Sequence, residues 1–370
     1  MDSSIEVRGL EPSEISVWAE FCAFCFAHKR PCPPPASHFE GHYDNDPCRD
    51  ASLVRVAMYK THNADGSPTD AMVSSVRIFV RSITNMSKMK KLNVGGIGEV
   101  CTHTDFRRRG IASRLLQDAI GKMKERKMNF SLLHVSNPSL QVVYQKQGFV
   151  SVRSRWSAIP LFLLANKWDL PKIEEKDLFK VRLANFNNDE EVAQMHKIHK
   201  TYSEERFVGC IERSIDYWKE YLSKELENQL FVLECSKDNQ TPNVCAWISI
   251  RKRGEKYQIR EFGVDKDNTE TYVAMAKLLP AVLSSAGIDV RKENEASKGI
   301  EYITLHMPSP VLKEIQGFSK ACTFLDWTNV NEADDCGWFY KNLSEAPSAN
   351  TFLKEISENV PHLIWPSDSF

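Results

Sequence analysis

The segment Arg107-Arg108-Arg109-Gly110-Ile111-Ala112 constrains the fold of this chain more than any other feature. It follows a short apolar stretch, Gly95–Thr102, in which glycines are frequent. Apolar residues then recur at helical spacing, at Ile111, Leu115, Leu116, Ala119, Ile120 and Met123. The predicted order is strand, glycine loop, helix. Backbone N–H groups at such a helix start can face an anion, so the pattern predicts a pyrophosphate-binding loop.

A second motif lies further along the chain. Tyr144-Gln145-Lys146-Gln147-Gly148-Phe149 begins 32 residues after Ala112, and the apolar stretch Phe130–Val135 between the two motifs predicts another strand. The loop motif alone is weak, because a basic turn before a helix occurs in many chains. Both motifs in this order are much more specific.

Together these residues resemble the GNAT superfamily of acetyl-CoA-dependent N-acetyltransferases, over about residues 5–160. The resemblance implies an α/β fold with a mixed central sheet flanked by helices. It also implies that the loop holds the pyrophosphate of coenzyme A and that the preceding strand pairs with its pantetheine arm. The implied coenzyme-binding positions are Val100, Cys101, Thr102, Arg107, Arg108, Arg109, Gly110, Ile111, Ala112 and Asn137. Asn137 can equally be the N-cap of a helix that starts at Pro138.

Beyond a polar, proline-marked connection at about residues 160–177, the pattern of predicted elements repeats. The repeat comprises strands at 179–183, 230–235, 244–252, 257–264, 301–306 and 338–342, and helices at 189–202, 214–225, 271–286 and 310–316. Aligning Glu261 with Glu99 places Thr269 at the position of Arg107 and Tyr272 at that of Gly110. The second copy thus lacks the residues that admit a pyrophosphate.

We therefore predict two tandem GNAT-like domains, of which the second is degenerate. The boundaries are 1–165 for the coenzyme-binding domain, 175–345 for a domain that shapes the substrate pocket, and 346–370 for a C-terminal tail. This organisation resembles the enhanced-intracellular-survival acetyltransferases, although the sequence after about 345 leaves no room for their sterol-carrier-like third domain. The fungal lysine N6-acetyltransferases, with one GNAT unit and a second domain, are a comparable distant resemblance.

The expected chemistry is attack of a neutral amine on a thioester, which needs a proton acceptor for the amine and a proton donor for the leaving thiolate. The resemblance implies that Tyr144 is the general acid; the alternative is a core tyrosine. Glu99 is the candidate base, and the alternative is a salt bridge within the sheet. Strand alternation places Glu99, Cys101 and His103 on one face, so His103 is a second candidate. The third candidate base is the terminal carboxylate of Phe370; the alternative is that the chain end is frayed and has no role in catalysis.

Composition narrows the remaining possibilities. The net charge is -1 and the pI about 6.8, which argues against a nucleic-acid partner. No stretch is apolar enough for a membrane span, and the N-terminus lacks the pattern of a signal peptide. The ten cysteines lie mostly in apolar stretches; Cys22 and Cys25 form a Cys-x-x-Cys pair at helical spacing, which favours buried thiols over a metal site. We expect a cytoplasmic protein without membrane or metal, of undetermined oligomeric state.

The sequence thus predicts an N-acetyltransferase that uses acetyl-CoA as co-substrate and transfers the acetyl group directly to a primary amine of a small molecule, such as an amino acid or a polyamine. The neutral overall charge is compatible with a locally acidic pocket for a cationic amine, which Glu40, Asp44, Asp46 and Glu99 could supply. The alternatives are a protein lysine acetyltransferase, a non-catalytic acyl-CoA-binding protein, and an enzyme that uses a longer acyl chain.

Overall fold

The structure is a computed structural model of the full chain. The residues that it describes are 4–28, 32–62, 68–85, 90–168, 177–237, 242–290, 302–344 and 361–368. They form two seven-stranded mixed sheets flanked by helices.

The first sheet contains mainly strands from the N-terminal half, in the spatial order β1-β2-β3-β4-β5-β14-β6. Its strands are β1 (Ile5–Gly9), β2 (Val54–His62), β3 (Pro68–Asn85), β4 (Lys90–Thr102), β5 (Phe130–His134), β6 (Val150–Ser154) and β14 (Asp335–Asn342). All neighbouring strands are antiparallel except β4 and β5.

The second sheet has the spatial order β13-β7-β12-β11-β10-β9-β8. Its strands are β7 (Trp156–Phe162), β8 (Asp177–Leu183), β9 (Phe231–Lys237), β10 (Asn243–Arg253), β11 (Lys256–Val264), β12 (Tyr302–Pro308) and β13 (Asn331–Glu332). The pair β11 and β12 is parallel, as β4 and β5 are in the first sheet.

The α-helices are α1 (Ile15–Phe26), α2 (Ala36–Asp44), α3 (Ile111–Glu125), α4 (Pro138–Lys146), α5 (Asp189–His199), α6 (Ser223–Glu225), α7 (Thr271–Ser285) and α8 (Ser309–Gln316). Two π-helical turns, Lys200–Glu204 and Tyr217–Leu222, continue α5 and precede α6. The predicted helices at 189–202 and 214–225 therefore exist but are partly π-helical, a form that often occurs at functional sites.

The two sheets exchange one strand each. Strand β14 lies between β5 and β6, with Trp338 opposite both His134 and Val152, while β7 pairs with β12 of the second sheet. The sequence placed the strand at 338–342 in the second unit, and the structure corrects this. Trp338 and Tyr340 pack on one face of the first sheet and Phe339 on the other, so β14 has the two-sided burial of a central strand.

The two faces of the first sheet have different neighbours. Helix α3 covers one face, where Leu115, Leu116, Ala119 and Met123 are fully buried. Helices α1 and α2 and parts of the second unit cover the other face. Burying each large apolar side chain of α3 contributes about 1.5–3 kcal/mol before the entropy cost. The face covered by helix α3 is called the α3 face, and the face covered by helices α1 and α2 is called the α2 face.

Candidate functional site

The loop between β4 and α3 has the geometry of an anion-binding site. Gly110 is the N-cap of α3 with a φ of 78°, and Arg108 is also left-handed, with a φ of 63°. Left-handed residues in such a turn create a concave set of N–H groups, and no side chain caps this helix. A Cβ added at Gly110 would meet no atom within 4 Å, so the loop is open to a ligand. Ile111 is buried in the core and anchors the first turn, while Ala112 is half-buried.

Three exposed arginines surround this helix start. The Arg107 Nε–H donates to the carbonyl of Thr102 at 3.1 Å, and the Arg109 guanidinium lies over the Phe106 ring at 4.9 Å. In the parts of the chain that the structure describes, Arg107, Arg108 and Arg109 form no salt bridge with a carboxylate. Their positive charge is therefore available to a phosphate.

Strands β4 and β5 separate beside this loop. Their pairing ends where Gly96 meets Leu132. The edge of β4 after Gly96 is thus left for an extended ligand to pair with. The side chains there are engaged elsewhere: Val100 packs on the α3 face, Cys101 lies 4.0 Å from the Cys22 sulfur, and Thr102 bonds Ser74. The backbone of Val100–Thr102 is thus the part of β4 that can pair with a ligand at the opening.

Glu99 lies on a β-bulge at this opening. Ser75 pairs with Cys101 and Arg77 with Gly98, so Val76 faces two residues, Glu99 and Val100. Glu99 has a φ of 52°, a left-handed conformation that is costly for a residue with a side chain. The bulge turns its carboxylate to the α2 face, which it shares with Cys101 and with His103, whose ring stacks on Phe24 of α1. The shared face agrees with the predicted alternation.

The Glu99 carboxylate is buried in a network that joins the two units. Oε1 lies 2.8 Å from Nδ1 of His42 and 3.5 Å from Nη1 of Arg77. His42 Nε2 in turn lies 2.7 Å from the hydroxyl of Tyr221, which belongs to the second unit. An ionised carboxylate only accepts, so Nδ1 carries the proton, and in a neutral ring Nε2 accepts from Tyr221. The second carboxylate oxygen, Oε2, is buried without a hydrogen-bond partner among the described residues.

Electrostatics keep Glu99 ionised. Burial alone would raise its pKa, but the charge of Arg77 and the hydrogen bond from His42 outweigh burial and hold the pKa below its ordinary value. Two of the other carboxylates considered for an acidic pocket, Asp44 and Asp46, do not add free negative charge to it. Asp46 is fully buried and bonded to Arg77 and Arg81, so its charge is compensated, and Asp44 is exposed.

Comparison with known proteins agrees with this geometry. Residues 6–151 match the sequence family described as "Acetyltransferase (GNAT) domain". The N-terminal part of the chain is a GNAT acetyltransferase domain. Such a fold indicates an acyltransferase. A search of curated protein sequences finds no significant match.

Solved structures share the fold across both units. A GCN5-related N-acetyltransferase from Anabaena variabilis is 12% identical, with a TM-score of 0.58 over 92% of this chain and 73% of that one. One from Kribbella flavida has 12% identity and a TM-score of 0.57, over 92% and 71%. Eis1 from Mycobacterium abscessus has 10% identity and a TM-score of 0.54, over 92% and 73%. These likenesses establish the fold, two tandem GNAT-like units.

Tyr144 and Asn137 lie on α4 of the GNAT domain. The Tyr144 ring packs edge-to-face on Phe149, its hydroxyl bonds no described residue, and burial raises its pKa, so the phenol is protonated at neutral pH. Both predicted roles, core packing and proton donor, are compatible with this position. Asn137 is the N-cap of α4, since its Oδ1 accepts the Ser139 N–H at 3.0 Å.

The other candidate bases are less well placed. His103 caps the turn after β4, where its Nδ1 accepts the Asp105 N–H at 3.3 Å. No hydrogen bond joins its ring to Glu99 or His42 in the described ranges. Phe370 lies outside the described residues. The tail before it is docked: Leu363, Ile364 and Trp365 are buried, and Asp368 pairs with Arg213.

The second unit repeats this architecture, but protein groups fill its site. Its bulge lies between β10 and β11 and precedes Glu261, the counterpart of Glu99. The Glu261 carboxylate accepts hydrogen bonds from Arg213, at 2.7 Å, and from the hydroxyl of Ser367 in the tail. At the N-terminus of α7, the Glu314 carboxylate accepts from Thr271 at 2.8 Å.

The residues that replace the arginine and the glycine of the phosphate loop, Thr269 and Tyr272, also disfavour a phosphate at the start of α7. Thr269 is buried, and Tyr272 stacks on Phe318 with ring centroids 4.4 Å apart. A protein carboxylate thus occupies the helix terminus that the first unit leaves open, and the second unit is degenerate as predicted.

Sequence reasoning missed His42, Arg77 and Tyr221. His42 lies 57 residues from Glu99 and 179 from Tyr221, and no local spacing connects them. The described residues contain no group of three or more His, Cys, Asp or Glu side chains suited to a metal ion. Nor does any helix among them have the length and apolarity needed to cross a membrane.

Proposed function

We propose that this protein is an acetyl-CoA-dependent N-acetyltransferase that transfers the acetyl group directly to a primary amine of a small molecule, such as an amino acid or a polyamine. The observation that supports this most is the position of Glu99. Its buried carboxylate lies near the point where β4 leaves β5 and bonds His42 of α2, while its second oxygen has no hydrogen-bond partner among the described residues. The phosphate loop lies at the start of α3, so donor and acceptor can approach the opening from opposite faces.

The residues present fit the coenzyme. The open N-terminus of α3 at Gly110 and the unpaired charges of Arg107–Arg109 suit a pyrophosphate, and the free edge of β4 at Val100–Thr102 suits the amides of a pantetheine arm. When bound, acetyl-CoA supplies the thioester carbonyl that the amine attacks. A backbone N–H of the β4 edge can polarise that carbonyl.

The chain's own groups then handle the two protons. Glu99 Oε2 accepts the proton of the amine, directly or through one water molecule, and His42 and Arg77 hold the carboxylate in position. Tyr144 donates a proton to the departing thiolate, because its raised pKa keeps the phenol protonated. No covalent bond to the enzyme is needed.

The function is tested by measuring thiol release from acetyl-CoA with single amines: lysine, spermidine, and a lysine-containing peptide. We expect thiol release that depends on a small amine, together with a product whose mass has increased by one acetyl group. Release that requires the peptide would identify a protein lysine acetyltransferase. Coenzyme binding without amine-dependent thiol release would contradict the proposal.

Tyr144→Phe tests the proton donor, since it removes one hydroxyl and little volume. We expect turnover to fall by about 10²-fold or more, while acetyl-CoA affinity measured by calorimetry stays close to that of the wild type. A variant with unchanged turnover would assign Tyr144 to core packing alone.

A further inference from the structure

A cavity of about 390 Å³ lies at the end of β5, between the two sheets. His134 lines it from the first unit, and Arg253, Lys256 and His306 line it from the second. Phe130 and Leu132, four and two residues before His134, pack on the α2 face with groups of the second unit. Because side chains alternate along a strand, His134 lies on that same face, which is the face of Glu99.

The cavity lies close to the opening between β4 and β5. Gly96 pairs with Leu132, so continuing the register by two residues places His134 opposite Gly98, the neighbour of Glu99. Paired strands lie about 4.8 Å apart, and these two diverge only after Gly96. The cavity therefore lies on the β5 side of the opening, on the face that carries the Glu99 carboxylate.

The charges of the cavity do not balance. Among the described residues, neither Arg253 nor Lys256 forms a salt bridge, although both line the cavity. The two acidic residues there are already paired. Asp334 accepts from Arg153 and from the Trp156 N–H, and Asp335 accepts from His134 Nε2 at 2.9 Å. The cavity thus presents two exposed cations, Arg253 and Lys256, and one carboxylate, Asp335, whose side-chain partner is an imidazole.

His306 also lines the cavity, and its side chain is half-buried. Its Nε2 atom is buried and has no hydrogen-bond partner among the described residues. A buried polar atom without a partner is costly unless a ligand or water satisfies it. Burial and the charge of Lys256 lower the pKa of His306, so the cavity already disfavours further positive charge.

We propose that this cavity binds an anionic group, a carboxylate or a phosphate, that is carried by the amine acceptor. The inference rests on the proposed function, and it specifies the substrate class: amines that bear an anion at the end remote from the reacting nitrogen. Lys256 and Arg253 pair with the anion, and His306 adds a hydrogen bond. The amine then reaches Glu99 across the opening.

Matched pairs of acceptors test this proposal. The pairs are 4-aminobutyrate with butylamine, and glucosamine 6-phosphate with glucosamine; the first distinguishes a carboxylate source and the second a phosphate source. We expect kcat/KM to be at least ten times higher for the anionic member of at least one pair. The double variant Arg253→Gln/Lys256→Gln should remove most of this preference through the KM of the acceptor, with the KM of acetyl-CoA unchanged.

Lys252→Gln is the matched control, because Lys252 lies on the same hairpin, over the Tyr257 ring and outside the cavity lining. It should leave the preference intact. Equal use of both members of both pairs, or a preference that survives in the double variant, would overturn the proposal while the proposed function stands.

If no amine is acetylated, the proposed function fails and the cavity is tested on its own. Calorimetry then measures the binding of glucosamine 6-phosphate and of 4-aminobutyrate to the wild type and to the double variant. Binding that the double variant loses supports the anion site. No binding, or binding that is the same in both proteins, contradicts it.

Discussion

Glu99 has a backbone conformation that its neighbours must stabilise. A left-handed residue with a side chain costs about 1–2 kcal/mol, and Glu99 adopts a φ of 52° at the bulge. The hydrogen bond from His42 and the charge of Arg77 offset this cost and fix the carboxylate on the α2 face. Strain that is held in place by such a network is typical of a functional site.

Glu99→Gln is therefore expected to separate chemistry from coenzyme binding. The amide keeps the shape of the side chain but cannot accept the proton, so turnover should fall by about 10²–10⁴-fold. Acetyl-CoA affinity should change little, because the phosphate loop is untouched. The measurements are steady-state turnover and calorimetry, with thermal unfolding to show that the variant is folded. Near-normal turnover in a folded variant would make Glu99 only a structural ion-pair partner.

The buried carboxyl group of Glu204 is expected to make the stability of the folded protein depend on pH. It is buried, and desolvation raises its pKa from 4.5 to about 7, although it accepts the Arg213 N–H at 3.3 Å. Its folded-state pKa lies above the unfolded value, so the folded protein holds this proton more tightly. The associated stability is present below about pH 4.5 and is lost as the pH rises to about 7.

Glu204→Gln removes this titration and keeps an acceptor oxygen. Relative to the wild type, the variant should gain about 2–3 kcal/mol in the free energy of unfolding at pH 8 and clearly less at pH 5. Urea denaturation at the two pH values measures the difference. An equal effect at both pH values would show that the carboxyl does not titrate in this range.

At the scale of elements, the exchange of β7 and β14 makes each unit depend on the other. Without β14, strands β5 and β6 have no partner between them, and Trp338, Phe339 and Tyr340 leave both faces of the first sheet. Unpaired interior strands expose backbone groups and apolar surface to water.

A chain that ends at residue 168 is consequently expected not to fold, and residues 169–370 alone lack β7 in the same way. Co-expressed, the two fragments should assemble into one soluble particle. Size-exclusion chromatography and circular dichroism distinguish these outcomes. A cooperative thermal transition in the isolated fragment 1–168 would show that β14 is dispensable.

Most elements could be predicted from the sequence because their signals are local. The apolar periodicity of α3 and the glycine at its N-cap predict this helix. The last residue of the apolar pattern, Met123, lies two residues before the observed end of the helix at Glu125. The partner of a strand is not a local property. Trp338–Asn342 shows the pattern of a buried strand, and this pattern is the same in either sheet. For the same reason the sequence located Glu99 but not His42 and Tyr221, which only folding brings together.

At the scale of the whole molecule, the two units divide one task. Within the part of the chain that the structure describes, the first keeps an open helix N-terminus and an unpaired strand edge, whereas the second fills the equivalent places with Glu314 and with the docked tail. In return, the second unit contributes Tyr221 to the network of Glu99. We therefore expect one coenzyme site, in the first unit, beside a network around Glu99 to which both units contribute.

Equilibrium dialysis of the full chain against acetyl-CoA counts the coenzyme sites. The expected count is one acetyl-CoA per chain for the wild type and for Gly121→Glu, a control on the same helix where a Cβ has open space. Gly110→Glu should reduce the count to near zero, because a side chain and a negative charge enter the phosphate loop. A count near two, or one coenzyme still bound to folded Gly110→Glu, would contradict the account.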